Sequence, residues 1–327
     1  MVEFQLKDFQ EINDKLLHYI LKNGNKGYVY VNGNTFPCKE LNNVQIIIDE
    51  PYNLGLFFDE VRMMQSISEM FFTLSGRMDV EFVKIFSEKL KITDGDYGFF
   101  VNHVGKRMYE LYGDQVFNAY NQLKKNKYSS QAILNMFMNH PTYLGQDCTL
   151  TIQFIISSNE ELLCHLNYRS IDVIEYLKSD ILIYSILLLS MKNWLDLRSS
   201  KLIITTPKMF ILDSKKSYLS EEVLNRPKEF FADISEYKPN GYMNNRKMFS
   251  YCIDVFLESF RNKKFEIIST NATIPLFLRD TLLILLYYTK VDNNLSYQML
   301  KNMINTNNPF WKNLECFKNE KFNECNM

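Results

Sequence analysis

The sequence predicts an α+β fold that continues into a helical C-terminal extension. Two runs with strand-like alternation, 148–156 and 162–168, are separated by a short polar turn and followed by a long apolar segment. Such alternation places one face of each strand against a core, and the short turn predicts that the two strands pair. Apolar residues also recur at helical spacing near the amino end. From about residue 215 onward only helical patterns follow.

Composition limits the classes of protein to which the chain can belong. Its 327 residues suffice for one large domain with an extension, and 46% of them are hydrophobic, so a sizeable core can form. The net charge of −1 shows no basic excess, so no nucleic acid is expected as a partner. The longest apolar run is too short to span a bilayer, which predicts no membrane partner. Six scattered cysteines and four histidines form no zinc motif and, without a signal peptide, predict a cytoplasmic protein.

The amino-terminal half alternates between helical and strand-like patterns. Residues 4–21 predict an amphipathic helix, and residues 57–75 predict a second helix that stops at Gly76. Asn32-Gly33 predicts a hairpin turn between two strands. The other predicted strands are 28–31, 41–49, 133–138 and 202–206, and the other predicted helices are 79–90, 115–125, 181–195, 220–225, 248–261, 274–288 and 296–304.

Reactive side chains cluster at the ends of the two predicted paired strands. Cys148 heads the first strand, Arg169 and Ser170 follow the second, and the acids Asp172 and Asp180 come next. A nucleophile, a cation, a hydroxyl and two carboxylates in one β-β-α unit are suited to covalent catalysis on an anionic substrate. Each residue also has a structural alternative. Cys148 could be a small core residue, Asp172 a solvated loop acid and Asp180 a helix N-cap.

The pattern Cys148-x4-Gln-Phe, then Arg169-Ser-x-Asp-Val, then a polar residue eleven positions after the arginine, resembles the catalytic core of the thymidylate synthase superfamily. Thr149 stands where the synthases usually have histidine, and Asp180 stands where they have asparagine. Both differences resemble the deoxycytidylate 5-hydroxymethylase branch. The resemblance covers roughly residues 40–210. It implies a mixed β-sheet layered with helices, a homodimer, a catalytic domain at 1–214 and a separate helical extension at 215–327.

The resemblance implies folate-dependent C5 hydroxymethylation of a cytosine nucleotide, dCMP or CMP, with 5,10-methylenetetrahydrofolate as cofactor. A thiolate would add to C6, C5 would attack the methylene of the folate, and water would complete the hydroxymethyl group. The implied catalytic residues are Cys148, Glu69 and Tyr97; the implied nucleotide ligands are Arg169 and Ser170 for phosphate, Asp180 for the base and Lys208 near the sugar; Asp172 would bind the pterin. From periodicity alone, Glu69 could instead be a surface residue at the edge of an apolar stripe.

Two departures from the family pattern keep other functions open. Ser130-Gln131-Ala132 stands where the family has Ser-Arg-Arg, whose arginines cross the dimer to the partner's nucleotide phosphate. Lys208-Met-Phe210 replaces the His-x-Tyr that bonds the sugar hydroxyl. One alternative is a uridylate C5 methylase or hydroxymethylase. The other is a catalytically inactive family member that acts as a binding or scaffold protein.

Overall fold

The computed structural model describes residues 1–9, 11–31, 34–54, 57, 59–79, 81–86, 104–110, 112–137, 148–218, 232–233, 242–305 and 307–324. Its strands are β1 (Val2–Leu6), β2 (Asn25–Val31), β3 (Asn34–Ile48), β4 (Asn53–Leu54), β5 (Ile133–Asn135), β6 (Thr149–Ile156), β7 (Glu161–Tyr168), β8 (Ile171–Asp172), β9 (Ser199–Leu212) and β10 (Ala232–Asp233).

The helices of the described residues are α1 (His18–Asn23), α2 (Glu60–Ser75), α3 (Glu81–Phe86), α4 (Val104–Tyr109), α5 (Gln115–Lys125), α6 (Lys178–Trp194), α7 (Tyr242–Asn262), α8 (Glu266–Ser269), α9 (Leu276–Thr289), α10 (Tyr297–Met303) and α11 (Pro309–Glu324). Single π-helical turns, Ile12–Leu17 and Val173–Leu177, lead directly into α1 and α6. A 3₁₀ turn, Asp213–Tyr218, follows β9.

The chain divides into two compact units, one formed by residues 1–52 and 107–228 and the other by 53–106 and 229–327. The first unit contains a mixed sheet in the order β1-β3-β9-β7-β6-β5, with β2 added to β3 and β8 added to β9. The pairs β1–β3, β7–β9 and β8–β9 are parallel, and the others are antiparallel. A mixed sheet layered with helices confirms the predicted α+β fold. The predicted division at residue 214 stays a prediction.

One face of this sheet is buried under helices and supplies the core of the first unit. Along β7, and along β6 from Ile152 onward, every second residue is buried, as in Phe154, Cys164 and Leu166. Helix α6 packs against β7 and β9, and its residues from Ile181 to Met191 are all buried. A helix that is apolar on all sides needs cover on all sides, so α6 forms the centre of this layer.

The first predicted element needs correction. Residues 2–6, predicted in part as helix, form β1, which pairs in parallel with β3 so that Phe4 lies beside Ile46. Phe4 and Leu6 are buried whereas Glu3 and Gln5 are exposed, which is the alternation of a strand. Helical structure begins only at Ile12. Residues 12–20 do have the helical spacing that was predicted, but residues 2–6 do not share it.

The second unit is built around α2. This helix begins at Asp59, whose side chain accepts a hydrogen bond from the Arg62 amide at 2.7 Å, and it ends at Gly76 with φ of 67°. The left-handed conformation at Gly76 is one that glycine adopts without steric strain, which confirms the predicted stop. Phe71 of α2 contacts Phe82 of α3 and Phe249 of α7, with ring centroids 6.3 and 5.6 Å apart.

The helices predicted at 248–261, 274–288 and 296–304 are present as α7, α9 and α10, while the helix predicted at 220–225 lies outside the described residues. Three helices of the described residues, α4, α8 and α11, were not predicted, and α11 is the longest of them. The apolar side chains of α11 at Phe310, Trp311, Leu314 and Phe317 are buried and follow helical spacing, so its signal was present in the sequence. Asn308 caps it by accepting from the amides of the two residues that open this apolar stripe.

None of the helices in the described parts of the chain is both long enough and apolar enough to cross a membrane. No group of three or more histidine, cysteine, aspartate or glutamate side chains in the same parts is arranged to hold a metal ion.

Candidate active site

The hairpin of β6 and β7 brings Cys148 beside Arg169. Thr149 pairs with Tyr168 across the two strands, and the Arg169 amide donates to the Cys148 carbonyl at 2.9 Å. The two residues therefore stand opposite each other where the ladder ends. The exposed Arg169 guanidinium also donates to the Ser170 hydroxyl at 3.3 Å. A thiol, a guanidinium and a hydroxyl thus meet at one end of the sheet, as the predicted strand pairing implies.

The electrostatic surroundings of Cys148 join the predicted residues into one cluster. Burial raises the pKa of the Cys148 thiol, and the carboxylates of Asp180 and Asp172 raise it further. The Arg169 guanidinium and a hydrogen bond with Ser170 act in the opposite direction. Burial has the largest effect, so the thiol is protonated at neutral pH in the ligand-free protein. Its conversion to a thiolate requires a change in these surroundings when substrate binds.

Among the described cysteines, Cys148 is distinguished by its exposure. It is partly accessible, whereas Cys38, Cys164, Cys252 and Cys316 are buried. Burial also raises the pKa of Cys164 and Cys252 well above the usual range for a thiol. These four thiols behave as small apolar residues of the core. Cys148 is therefore the described thiol that a substrate can reach.

Alkylation of Cys148 by iodoacetamide in the free protein is expected to accelerate about tenfold per pH unit between about pH 6 and pH 8. The raised pKa keeps the thiol protonated across this range, so the thiolate fraction follows pH directly. Arg169→Leu is expected to slow the reaction at each pH, because it removes the charge that lowers the pKa. Peptide-resolved mass spectrometry measures each site, and the four buried cysteines serve as unreactive internal controls. A rate at Cys148 that does not depend on pH contradicts this description.

Asp180 lies in the first turn of α6 and is half-buried. The N-cap position of α6 is Leu177, which makes no side-chain capping bond, because the π-helical turn before it continues directly into the helix. Asp180 is therefore not the helix N-cap that was its structural alternative. Its carboxylate acts on Cys148, on Tyr168 and on Tyr184.

Asp172 takes the capping role instead. It is 6% exposed, and its Oδ1 accepts hydrogen bonds from the amides of Ile174 at 3.0 Å and Glu175 at 3.2 Å. Burial raises its pKa from 3.8 to about 6, while the two backbone hydrogen bonds act to lower it. Asp172 is thus a buried acid and not the solvated loop residue that was its alternative. Within the described residues both of these bonds go to Oδ1, so Oδ2 remains for a ligand.

Asp172→Asn is expected to raise the free energy of unfolding at neutral pH by roughly 2 kcal/mol. The raised pKa means that folding favours the protonated acid, so the stability from this group is complete below pH 3.8 and is lost as the pH rises through about 6. An amide keeps the acceptor for both backbone donors and carries no charge. Urea unfolding at about pH 4 and pH 7.5 measures the effect, which is expected only at the higher pH. Asp172→Ala is the control: it loses the acceptor for the backbone amides and is expected to be less stable than the parent protein at both pH values. An Asp172→Asn protein that is less stable than the parent at neutral pH contradicts the expectation.

Lys208 lies on β9, directly before Met209, which pairs with Ile171 of β8. Its ammonium group donates to the Tyr28 carbonyl at 2.7 Å and contacts the Glu40 carboxylate at 2.6 Å. Glycine at position 27 leaves room for this arrangement, since a Cβ there would lie 2.1 Å from the Glu40 carboxylate and would displace that side chain. The register places Lys208 next to the Arg169-Ser170 segment. Its charge is already balanced by Glu40, and its sugar-binding role stays a prediction.

Glu69 lies on α2 in the second unit. Between Met63 and Ser75 only Gln65 and Glu69 are partly exposed, and these two residues are one turn apart on the same face. Glu69 is therefore a half-buried acid on a helix that is covered on its other sides. The predicted site residue Tyr97 lies outside the described residues. The catalytic roles of both residues stay predictions.

Sequence reasoning missed a group of hydroxyls behind the site. The Thr149 hydroxyl lies 3.2 Å from the Tyr184 hydroxyl, and Tyr168 is the cross-strand partner of Thr149. All three side chains are buried. A signal was present, since Tyr168 directly precedes Arg169 and Tyr184 follows Asp180 by one helical turn. The contact depends on how α6 packs on the sheet, which no local pattern specifies.

The fold and this cluster define an α+β protein with one mixed sheet whose strand ends present a thiol opposite a guanidinium. Residues 40–269 match the family model described as thymidylate synthase, so the chain belongs to the thymidylate synthase family. No protein in the search of curated sequences matches the chain. The family match covers well over half of the chain and includes every predicted site residue. Family membership implies a folate-dependent one-carbon transferase that acts at C5 of a pyrimidine nucleotide.

Proposed function

We propose that the protein is a folate-dependent C5 hydroxymethylase of a cytosine nucleotide, dCMP or CMP, of the deoxycytidylate hydroxymethylase branch. The observation that carries the proposal is that Cys148 is partly accessible and lies within the electrostatic reach of Arg169 and Asp180. These residues supply a nucleophile, a cation for its thiolate and for the substrate phosphate, and an acid for the edge of the base.

Cys148 acts as the nucleophile at C6 of the pyrimidine. Formation of the S–C6 bond moves the C5=C6 electron pair onto C5, which makes C5 nucleophilic. After the one-carbon unit has joined C5, the C5 proton leaves to solvent and the bond from that carbon to its carrier breaks, which leaves an exocyclic methylene. Water adds to this methylene, and the S–C6 bond then breaks, which regenerates the thiolate and leaves a hydroxymethyl group on C5. Arg169 favours the thiolate because its positive charge lowers the pKa that burial raises.

Asp180 determines the choice of base. Cytosine presents an amino donor at N4 and an acceptor at N3, whereas uracil presents an acceptor at O4 and an N3–H donor. A carboxylate accepts from N4, and in its protonated form it also donates to N3. The half-buried position of Asp180 beside Cys148 supports this role.

Arg169 and Ser170 bind the phosphate of the nucleotide. Arg169 is exposed and its guanidinium already contacts the Ser170 hydroxyl, so both groups can donate to one anion. The arginine pair that the family places at residues 131 and 132 is absent from the sequence. Of the nearby lysines, Lys127 pairs with Glu160 at 2.7 Å in the exposed turn region. Lys208, beside Ser170 in register, is the proposed sugar ligand.

The residues present fit the folate cofactor. Asp172 is buried, has a pKa of about 6 and uses Oδ1 for both of its bonds to backbone amides. Oδ2 can therefore accept from or donate to the amide and amino groups of a pterin near neutral pH. When bound, 5,10-methylenetetrahydrofolate supplies a carbon at the oxidation level of formaldehyde. Glu69 and Tyr97 complete the proposal as further catalytic residues of the family pattern, with Glu69 as the acid that relays protons.

A homodimer in the cytoplasm completes the proposal. The sheet face opposite the helices carries partly exposed residues such as Ile47, Leu163 and His165, and the buried Ile203 lies between Ile47 and His165 in one cross-strand row. Burial already lowers the pKa of His165, so this face holds a neutral histidine among aliphatic side chains. A face of this composition suits contact with a second copy. Sedimentation analysis measures the oligomeric state, and a monomer at micromolar concentration contradicts it.

Release of tritium from C5 tests the proposed function. The protein is incubated with C5-tritiated dCMP, CMP, dUMP or UMP, together with formaldehyde and tetrahydrofolate. Tritium release is expected from a cytosine nucleotide, with a C5-hydroxymethyl product identified by mass spectrometry. Release from a uracil nucleotide alone favours the uridylate alternative. Release from none of the four rejects both enzymatic functions and favours a binding or scaffold protein, as the missing arginine pair would allow.

A further inference from the structure

A buried cluster of three hydroxyl side chains lies beside Cys148 and Asp180, and the proposed reaction does not use it. Thr149, Tyr168 and Tyr184 are 4%, 2% and 2% exposed. Thr149 and Tyr184 satisfy each other through a hydrogen bond of 3.2 Å between their hydroxyl oxygens. Buried polar groups are nearly always paired, and this pair follows that rule.

Tyr168 does not follow the rule. Its hydroxyl is buried and makes no hydrogen bond of full geometry within the parts of the chain that the structure describes, although Thr149 and Asp180 lie within its reach. Burial raises the pKa of Tyr168 well above its usual range, and the Asp180 carboxylate raises it further, so this hydroxyl is a proton donor at every physiological pH. A buried donor without a well-formed hydrogen bond lowers stability, so its presence beside Asp180 suggests a role in binding or catalysis.

The geometry directs this donor toward Asp180. Tyr168 ends β7 as the cross-strand partner of Thr149, whose hydroxyl reaches Tyr184 on α6. Asp180 lies one helical turn before Tyr184 on the same face of α6, where its charge acts on both tyrosines and on Cys148. The Thr149–Tyr184 bond fixes the helix against the strand, and Tyr168 is left facing the acid.

We propose that Tyr168 is a positioning residue for Asp180: its hydroxyl donates to the carboxyl when a pyrimidine binds and fixes the oxygen that accepts from the cytosine amino group. Tyr168 thereby increases selectivity for cytosine over uracil nucleotides. This inference rests on the proposed function, because it assigns Asp180 to the edge of the base. Tyr184 has no such role, since its hydroxyl is occupied by Thr149.

Tyr168→Phe and Tyr184→Phe form a matched pair, because each removes one buried phenolic hydroxyl from the same cluster. Tyr168→Phe is expected to change the melting temperature little, since the hydroxyl that it removes makes no hydrogen bond of full geometry, and to lower the dCMP-to-dUMP ratio of kcat/KM about tenfold. Tyr184→Phe is expected to lower the melting temperature by a few degrees, because Thr149 loses its partner, and to leave that ratio within about twofold.

The variants are compared by tritium release and by calorimetric binding of dCMP and dUMP, and Asp180→Asn is added to each. Loss of selectivity from Tyr168→Phe is expected to disappear in the Asp180→Asn background, because the hydroxyl acts through that carboxyl. An unchanged ratio in a folded Tyr168→Phe protein overturns the proposal, as does an equal loss in Tyr184→Phe. Tyr168→Met removes the same hydroxyl if the phenylalanine variant does not fold. A parent protein that neither binds nor turns over any of the nucleotides rejects the proposed function itself.

Discussion

Cys148→Ala is expected to reduce tritium release from a C5-tritiated cytosine nucleotide by roughly a thousandfold or more. Without a nucleophile at C6, C5 keeps its aromatic character and does not attack an electrophilic carbon. Binding of the nucleotide is expected to change little, because the phosphate and base ligands remain in place. The measurement is a pair of assays on the same preparation, tritium release for the chemical step and calorimetry for nucleotide affinity.

Cys164→Ala is the matched control for this prediction. Cys164 lies on the same hairpin, paired with Phe154, and is fully buried. Its replacement removes a thiol of similar volume and is expected to lower stability through a small cavity, with kcat retained. If Cys148→Ala retains full activity, or if both variants lose it equally, Cys148 is not the nucleophile.

Asp180→Asn is expected to invert the base preference, with a combined change of roughly a hundredfold or more in the dCMP-to-dUMP ratio of kcat/KM. A carboxyl matches the amino edge of cytosine, whereas an amide offers one donor and one acceptor, which matches uracil. In the variant, one polar group of the amide stays buried and unpaired when cytosine is bound, whereas both of its groups form hydrogen bonds when uracil is bound. Competition between the two tritiated nucleotides in one reaction measures the ratio directly.

Asp172→Asn controls for the chemistry of that substitution. It makes the same change from carboxyl to amide at an acid that also acts on Cys148, but at the position proposed to bind the pterin. It is expected to raise the KM for the folate and to leave the base ratio within about twofold. A base ratio that is unchanged in Asp180→Asn, or that changes equally in both variants, contradicts the assignment of Asp180.

The elements with strong local periodicity could be predicted from the sequence. The helix at 115–125 corresponds to α5, and the alternation after Cys148 corresponds to β6 with the expected alternating burial. Residues 2–6 could not be predicted in the same way. Their strand exists because it pairs in parallel with β3, about forty residues away, and such non-local pairing leaves no signature in a short helical-looking window.

For the site, the sequence was sufficient where chain connectivity dictates proximity. A tight hairpin requires that Cys148 and Arg169 lie opposite each other, and they do. The capping role of Asp172 was not predictable, because it depends on a π-helical turn that begins the helix several residues before the apolar run. The contact between Thr149 and Tyr184 depends on the packing of α6 against β6, which is set by the whole core and not by spacing.

The central claim is that the sulfur of Cys148 bonds to C6 of a cytosine nucleotide during the reaction. The direct measurement uses 5-fluoro-dCMP with 5,10-methylenetetrahydrofolate, since fluorine cannot leave C5 as a proton does and the covalent adduct therefore accumulates. Mass spectrometry of the denatured, digested protein is expected to show nucleotide and folate together on the peptide that contains Cys148, and none in Cys148→Ala. An active enzyme that yields no such adduct, or carries it on another residue, contradicts the claim.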